Sequence, residues 1–200
     1  LNNAVITSST LVDTAIWSED DLTVRLVGQN RIGTAPGNPA NKANYNVGIG
    51  IISGKSLFLT GDGSLTIYDS ITGIDGVDNL TIDIGGSLTV VEYGNEGSAC
   101  CLRANGVLTI ERGNLNLPSY NSKGLKGDSI VINGGVITAQ TQGVSGHYAF
   151  STEPSFGEAY DDDYQVFAGE NADSSDEVPS PVAATYTASK YVRIQPDGAQ

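Results

Sequence analysis

Three consecutive carboxylates, Asp161-Asp162-Asp163, are the densest run of charge in the chain. Carboxylates are what calcium coordination and glycoside hydrolysis both require. Adjacent acids on one loop repel and diverge, and no partner acid stands at a defined spacing nearby, so the run reads as a solvated loop. A second set, Asp69, Asp75, Asp78, Asp83, Glu92 and Glu96, falls near turns in the middle of the chain. These would meet on a cation only if the chain coiled back on itself, so calcium is the one cofactor they could recruit; the sequence requires none. The single histidine, His147, lies two residues after Ser145 but lacks the strand–turn–helix setting of a nucleophile elbow. Arg103, Arg112 and Lys123 supply bases in the same central region, yet no pair of carboxylates facing a base can be mapped, and no catalytic residue is assigned. Cys100 and Cys101 are neighbours, and successive side chains on a strand point to opposite faces, which argues against a disulfide between them. They read as a free pair, with Cys100 a small core residue, and no metal site is assigned.

The elements that must position these groups follow from composition and period. Only 16% of residues are charged, against a typical quarter, 39% are hydrophobic, and 25 are glycine, which suits a turn-rich all-β chain. Two hundred residues suffice for one main domain with a core that needs neither disulfide nor metal. The net charge of −13 repels phosphate backbones and anionic headgroups, which argues against nucleic acid and membrane-surface partners; a polyuronate would need a bridging cation. No apolar run approaches the ~18 residues of a membrane span, and the start at Leu1 without Met reads as a mature form or an excised fragment.

A short template recurs: an apolar–polar–apolar triplet, a glycine-containing turn, and a second triplet. The copies are Leu57-Phe58-Leu59 with Leu65-Thr66-Ile67, Leu80-Thr81-Ile82 with Leu88-Thr89-Val90, Leu108-Thr109-Ile110 with Leu115-Asn116-Leu117, and Ile130-Val131-Ile132 with Ile137-Thr138-Ala139. A weaker first copy reads as Val24-Arg25-Leu26 with Ile32-Gly33-Thr34. Copies return every 33, 23, 28 and 22 residues, the range of stacked solenoid units, and three-residue strands need neighbours above and below. A coil that rises one strand spacing per turn explains this recurrence, which an antiparallel meander does not. Inward columns should then be Leu57, Leu80, Leu108 and Ile130; Leu59, Ile82, Ile110 and Ile132; and Leu65, Leu88, Leu115 and Ile137. A third strand is hinted at by Ile49/Ile51, Ile74/Val77, Cys100/Leu102 and Leu125. Residues 1–22, with their apolar Leu1, Val5, Ile6, Leu11, Val12, Ile16 and Trp17, read as a first coil or an N-terminal cap.

On such a coil Tyr93 and Tyr120 fall five residues past the start of their second triplets, with Tyr68 on the same edge. The three would make an aromatic strip able to lie on the apolar faces of sugar rings, or a ladder that only stabilises the coil edge. Outward Thr81 and Thr109, and Thr66, Thr89, Asn116 and Thr138, form polar columns with one outward hydroxyl or amide per strand, too few for an ice-binding array. Past residue 147 the composition changes. Residues 151–200 hold 10 of the 23 acids and, as bases, only Lys190 and Arg193. Strand candidates at 164–168 and 190–194 suggest a cap on the last coil.

Leu-Thr-Ile followed by glycine turns and Leu-Thr-Val, together with Asn133-Gly134-Gly135-Val136-Ile137-Thr138-Ala139, resembles repeats in large surface proteins of Gram-positive gut bacteria, which are similar to the pectate-lyase-like β-helix group. The tail from Val166-Phe167-Ala168-Gly169 through Glu177-Val178 to Lys190-Tyr191-Val192-Arg193-Ile194 resembles a segment that follows such repeats, and the likeness spans roughly residues 22–195. It implies a right-handed coil, as crossovers between parallel strands generally prefer. It also implies a bacterial secreted or cell-surface setting and, less directly, adhesion or glycan binding. Enzymes of this fold use Asp clusters with calcium or paired carboxylates beside bases, and these residues do not map onto that pattern.

The expectation is an all-β, right-handed parallel β-helix of about five coils, with its N-terminal cap, over residues 1–146 and an acidic C-terminal capping segment over residues 147–200. Its expected function is that of a non-catalytic extracellular module, structural or adhesive, with a polysaccharide or a host or cell-surface protein as partner. Tyr68, Tyr93 and Tyr120 are its candidate ligand-binding residues. The alternatives are a calcium-dependent carbohydrate-binding domain and a polysaccharide lyase or hydrolase.

Overall fold

The computed structural model describes residues 1–8, 12–34, 45–76, 78–92, 99–120, 122–142, 147–157, 164–179 and 181–198, and at Val12, Tyr45 and Asp69 the backbone alone. The chain is a β-solenoid of about five turns. Each rung passes through three sheets in the same order, and each strand pairs in parallel with its counterpart in the next rung.

Sheet 1 contains β2 (Val12–Ser18), β5 (Tyr45–Ile51), the second half of β7 (Ser64–Gly76), β9 (Cys100–Ala104) and β11 (Lys123–Lys126). Sheet 2 contains β3 (Leu22–Leu26), β6 (Leu57–Gly61), the first halves of β8 (Leu80–Glu92) and β10 (Val107–Ser119), then β12 (Ser129–Ile132) and β14 (Pro154–Phe156). Sheet 3 contains β1 (Val5–Ile6), β4 (Gln29–Ile32), the first half of β7, the second halves of β8 and β10, and β13 (Val136–Thr141). Three strands of 13 residues, β7, β8 and β10, thus turn a corner without ending.

The expected apolar columns are present and closed to solvent, except at Leu22 and Ile16 of the first rung, which are half-buried. Leu22, Leu57, Leu80, Leu108 and Ile130 stack in register on sheet 2, beside Val24, Leu59, Ile82, Ile110 and Ile132. Leu65, Leu88, Leu115 and Ile137 do so on sheet 3. On sheet 1 the column is Ile16, Ile49, Ile74, Leu102, Leu125 and Phe150, as the third-strand hints predict; Val77 lies outside the described residues. Burying such side chains contributes about 1.5–3 kcal/mol each. It is the column, rather than any single three-residue strand, that is stable.

The first copy is in a different register from the one the triplet pattern suggests. Leu22 and Val24, not Val24 and Leu26, lie over Leu57 and Leu59, and Asn30 and Ile32, not Ile32 and Thr34, lie over Leu65 and Ile67. Asn30 is what misleads: a polar residue holds a place that is leucine in later rungs. It is buried because its amide is satisfied, with Nδ2 donating to the carbonyls of Val27 and Ser64 (both 3.2 Å) and Oδ1 accepting from the Ala4 amide (3.0 Å). Residues 1–6 run beside Val27 and β4, covering that edge of the first rung. Trp17, read as part of the apolar set of this segment, is 54% exposed.

Glycine is required at the corner between sheets 2 and 3. Gly61 and Gly135 adopt φ of +101° and +94°, and a Cβ on either would approach a carbonyl oxygen of the rung before, Leu26 or Gly113, to 2.3 Å.

Parallel stacking continues to Pro154–Phe156, which pairs with β12. The stack is then closed by antiparallel strands. β17 (Tyr191–Pro196) pairs with β13, setting Ile194 on Ile137 and Val192 on Ala139. β15 (Tyr164–Gly169) pairs with β17, and β16 (Asp176–Glu177) with β15. α1 (Ala183–Thr187), the one α-helix among the described residues, drives buried Tyr186 against Phe150 at a ring-centroid distance of 5.8 Å. Reversing strand direction ends the template that a parallel edge would offer to another rung.

Substituting an inward and an outward neighbour checks this arrangement. Leu88→Ala should cost about 2–5 kcal/mol in urea denaturation, and Thr89→Ala less than about 1 kcal/mol. Equal costs would contradict the facing of β8.

Candidate functional site

With the interior filled by side chains, chemistry is confined to the corners and outer faces. The central acids do not gather there. Asp75 is taken by Arg103, whose Nε donates to Oδ1 at 2.9 Å and whose Nη2 donates to Oδ2; this hydrogen bond, more than the partner's charge, holds the guanidinium pKa above its usual value. Asp83 is taken by Arg112, with Nε to Oδ1 at 2.5 Å, and the same arginine reaches Asp62 at 3.5 Å. Both arginines tie one rung to another, so two of the bases available to a lyase are engaged in cross-rung ion pairs. Asp78 is on an exposed turn, and Glu96 and Asp161-Asp162-Asp163 lie outside the described residues. His147 is half-buried on the connection after β13, and its would-be partner Ser145 lies outside the described residues. Among the described residues no three of His, Cys, Asp and Glu stand close enough to hold a metal ion.

Glu92 departs furthest from its expected place near an open turn. It is fully buried and accepts the Ser119 hydroxyl at 2.6 Å. Ser70, Glu92, Ser119 and Thr141 occupy one register position on successive rungs, forming a buried polar ladder at the corner from sheet 3 into sheet 1. The signal was there to read, since Leu88, Val90 and Glu92 alternate at period two and the third must follow the first two inward. Next to this ladder both thiols are buried, and burial pushes Cys100 up to about 12 and Cys101 well above its usual value. Such thiols are not nucleophiles.

Tyr68 and Tyr120 are not brought into one column. Counting on from Ile67 opposite Val90 and Thr89 opposite Asn116, Tyr68 lines up with Val91 and Pro118. Tyr120 follows Ser119, beyond the end of that row, where its amide donates to the Glu92 carbonyl at 3.3 Å. Both rings are half-buried, and Tyr93 lies outside the described residues.

What the register does assemble is the outer face of sheet 3. The expected column Thr66, Thr89, Asn116, Thr138 is present, and so are Thr81 and Thr109 side by side on sheet 2. On sheet 3 the strands outrun their triplets, so Ser64, Ser87, Asn114 and Val136 add a second outward column; the reading of one outward hydroxyl or amide per strand was too low there. The Ser87 amide donates to Ser64 Oγ at 3.0 Å. Tyr68 closes the row that begins Ser64, Thr66. Residues 64–68, 87–91, 114–118 and 136–140 contain no charged side chain, in a chain with 23 acids and 10 bases. The face covers about 14 Å by 13 Å at ordinary strand spacings. Arg31, opposite Thr66, and Arg193, opposite Thr138, frame it, each with Nε buried.

No protein-family model, curated protein or solved structure matches the chain. Of what the resemblance to surface repeats implies, the β-solenoid is the part that stands. Among the described residues no helix is long and apolar enough to cross a membrane.

Two measurements check this description. At pH 8 a thiol reagent should label neither cysteine in the folded chain and both in denaturant; fast native labelling would mean Cys100 and Cys101 are not in the core. Arg103→Ala, which strands Asp75 at 6% exposure, should lower stability by about 2 kcal/mol or more, and by less in Asp75→Asn/Arg103→Ala.

Proposed function

We propose that the chain is a non-catalytic β-solenoid module of a bacterial extracellular protein, and that the outer face of sheet 3 lies against a neutral polysaccharide. The observation that carries this reading is the absence of charged residues from four consecutive rungs of one face, in a chain of net charge −13. Charges elsewhere on the chain keep it soluble. On this face they would have to be stripped of water to let a flat partner approach. Hydroxyl and amide groups have no such penalty when the partner returns their hydrogen bonds, and sugar hydroxyls do so in both directions. The half-buried Tyr68 at the edge of the face supplies an apolar surface for a pyranose ring. The surplus of acid over the rest of the chain disfavours nucleic acid and polyuronates. A display role outside the cell rests on the resemblance of the repeats.

Retention on insoluble cellulose, xylan, mannan and chitin tests the proposal. The folded chain should be held by at least one of them, unaffected by EDTA and by about 1 M NaCl, since no charges meet across the face. Thr89→Lys/Asn116→Lys, which places two ammonium groups at its centre, should weaken retention at least about tenfold while the melting curve is kept. Retention that needs calcium would favour a calcium-dependent carbohydrate-binding domain, and turnover of any of these polymers would make the chain an enzyme. Retention indifferent to the double substitution would place the glycan on another surface.

A further inference from the structure

We infer that Trp17 and Asp13 form a second carbohydrate subsite, on the outer side of sheet 1, that takes a neutral pyranose oligosaccharide. The class of ligand rests on the glycan reading above; the place rests on different residues. Trp17 is the only tryptophan of the chain and is 54% exposed although it lies within a strand. It stands opposite Gly50 of the next rung, where a Cβ would come within 3.4 Å of Cε3 and Cζ3. The six-membered ring of the indole therefore lies over the one position in that row with no side chain. It has the next rung beneath it and is open on the other side.

Asp13, four residues earlier on the same strand, is also held. Its Oδ1 accepts from Asn46 Nδ2 at 2.9 Å, across the gap between β2 and β5. Asp13, Thr14 and Trp17 line an open cavity of about 430 Å³, within the range of small-molecule sites. The contents match what a pyranose requires: an aromatic plane for its C–H face and a carboxylate to accept from its hydroxyls. Four residues of strand separate Asp13 from Trp17 by up to about 13 Å, more than one sugar ring covers, so the site favours an oligosaccharide. Asp13 would repel a uronic acid. An organic cation also suits an indole and a carboxylate, but cation sites surround the charge with several rings, and among the described residues a single indole lines this cavity.

Because Trp17 is alone, its fluorescence reports on this place and no other. Titrating the full chain with cellohexaose, xylohexaose and mannohexaose should give a saturable change in its emission with at least one of them. Trp17→Ala should weaken that binding, measured by calorimetry, about tenfold or more, and Asp13→Ala should also weaken it. Trp17→Phe should retain most of it, and Thr89→Lys/Asn116→Lys should leave the emission response intact. Oligosaccharide binding that neither changes the emission nor responds to Trp17→Ala would overturn this subsite while leaving the glycan reading standing. So would retention on insoluble polysaccharide with no hexasaccharide response. Failure of both soluble and insoluble sugars would remove the two together. An emission response to choline in place of sugars, or a dimer that Trp17→Ala converts to monomer, would give Trp17 a different partner and overturn the inference.

Discussion

Every feature of this chain answers to the backbone ladder between rungs. Parallel strands stack about 4.8 Å apart, and once one pair is in register each following residue is placed over its counterpart. A rung is therefore not free to choose its own inside and outside. The leucine and isoleucine columns, the threonine columns, the buried Ser70–Glu92–Ser119–Thr141 ladder and the ion pairs from Arg103 to Asp75 and from Arg112 to Asp83 all obey it. The ladder also leaves two open edges, which any solenoid must manage. Residues 1–6 cover part of one, and antiparallel β17 and β15 close the other.

The same constraint explains which parts of the fold were legible in the sequence. Period two inside each triplet and the return of the triplet every twenty-odd residues are both consequences of stacking, so Leu57, Leu80, Leu108 and Ile130 could be aligned without coordinates. Asn30 could not be aligned, because an amide that satisfies the backbone at the first rung carries no hydrophobic signal. Glu92 was misplaced for a related reason: carboxylates are expected in water, and only the parity of its strand argues otherwise. The corner-crossing strands β7, β8 and β10 were hidden too, since a glycine in the pattern reads as a break when the strand merely bends.

The candidate sites were less legible than the core. Spacing alone set Tyr68, Tyr93 and Tyr120 on one edge, but Tyr68 is three residues past Leu65 and Tyr120 five past Leu115, so with Leu65, Leu88 and Leu115 in register the two rings fall on different lines. The uncharged face of sheet 3 has no motif at all. It consists of residues that are absent, and it becomes visible only when four separate segments are laid side by side. Trp17, read only as one of the apolar residues of a first coil or cap, follows inward Ile16 and so faces outward, over Gly50 of the next rung. Once the interior is filled and Arg103 and Arg112 are engaged, what remains outside is polar and uncharged over four rungs of sheet 3. That surface is the one proposed to meet an extended neutral polymer.

Cross-linking between rungs tests the register most directly, because the facing of every residue discussed follows from it. Thr89 and Asn116 are register partners on adjacent strands, and Asn114 is two residues off. The partners are about 4.8 Å apart, within disulfide reach, and the offset pair about 8 Å, outside it. Under mild oxidation Thr89→Cys/Asn116→Cys should form its disulfide almost completely in the folded chain, and Thr89→Cys/Asn114→Cys should remain reduced. The reverse result, or equal cross-linking of both pairs, would contradict the stacked register and with it the placement of both proposed sugar-binding surfaces.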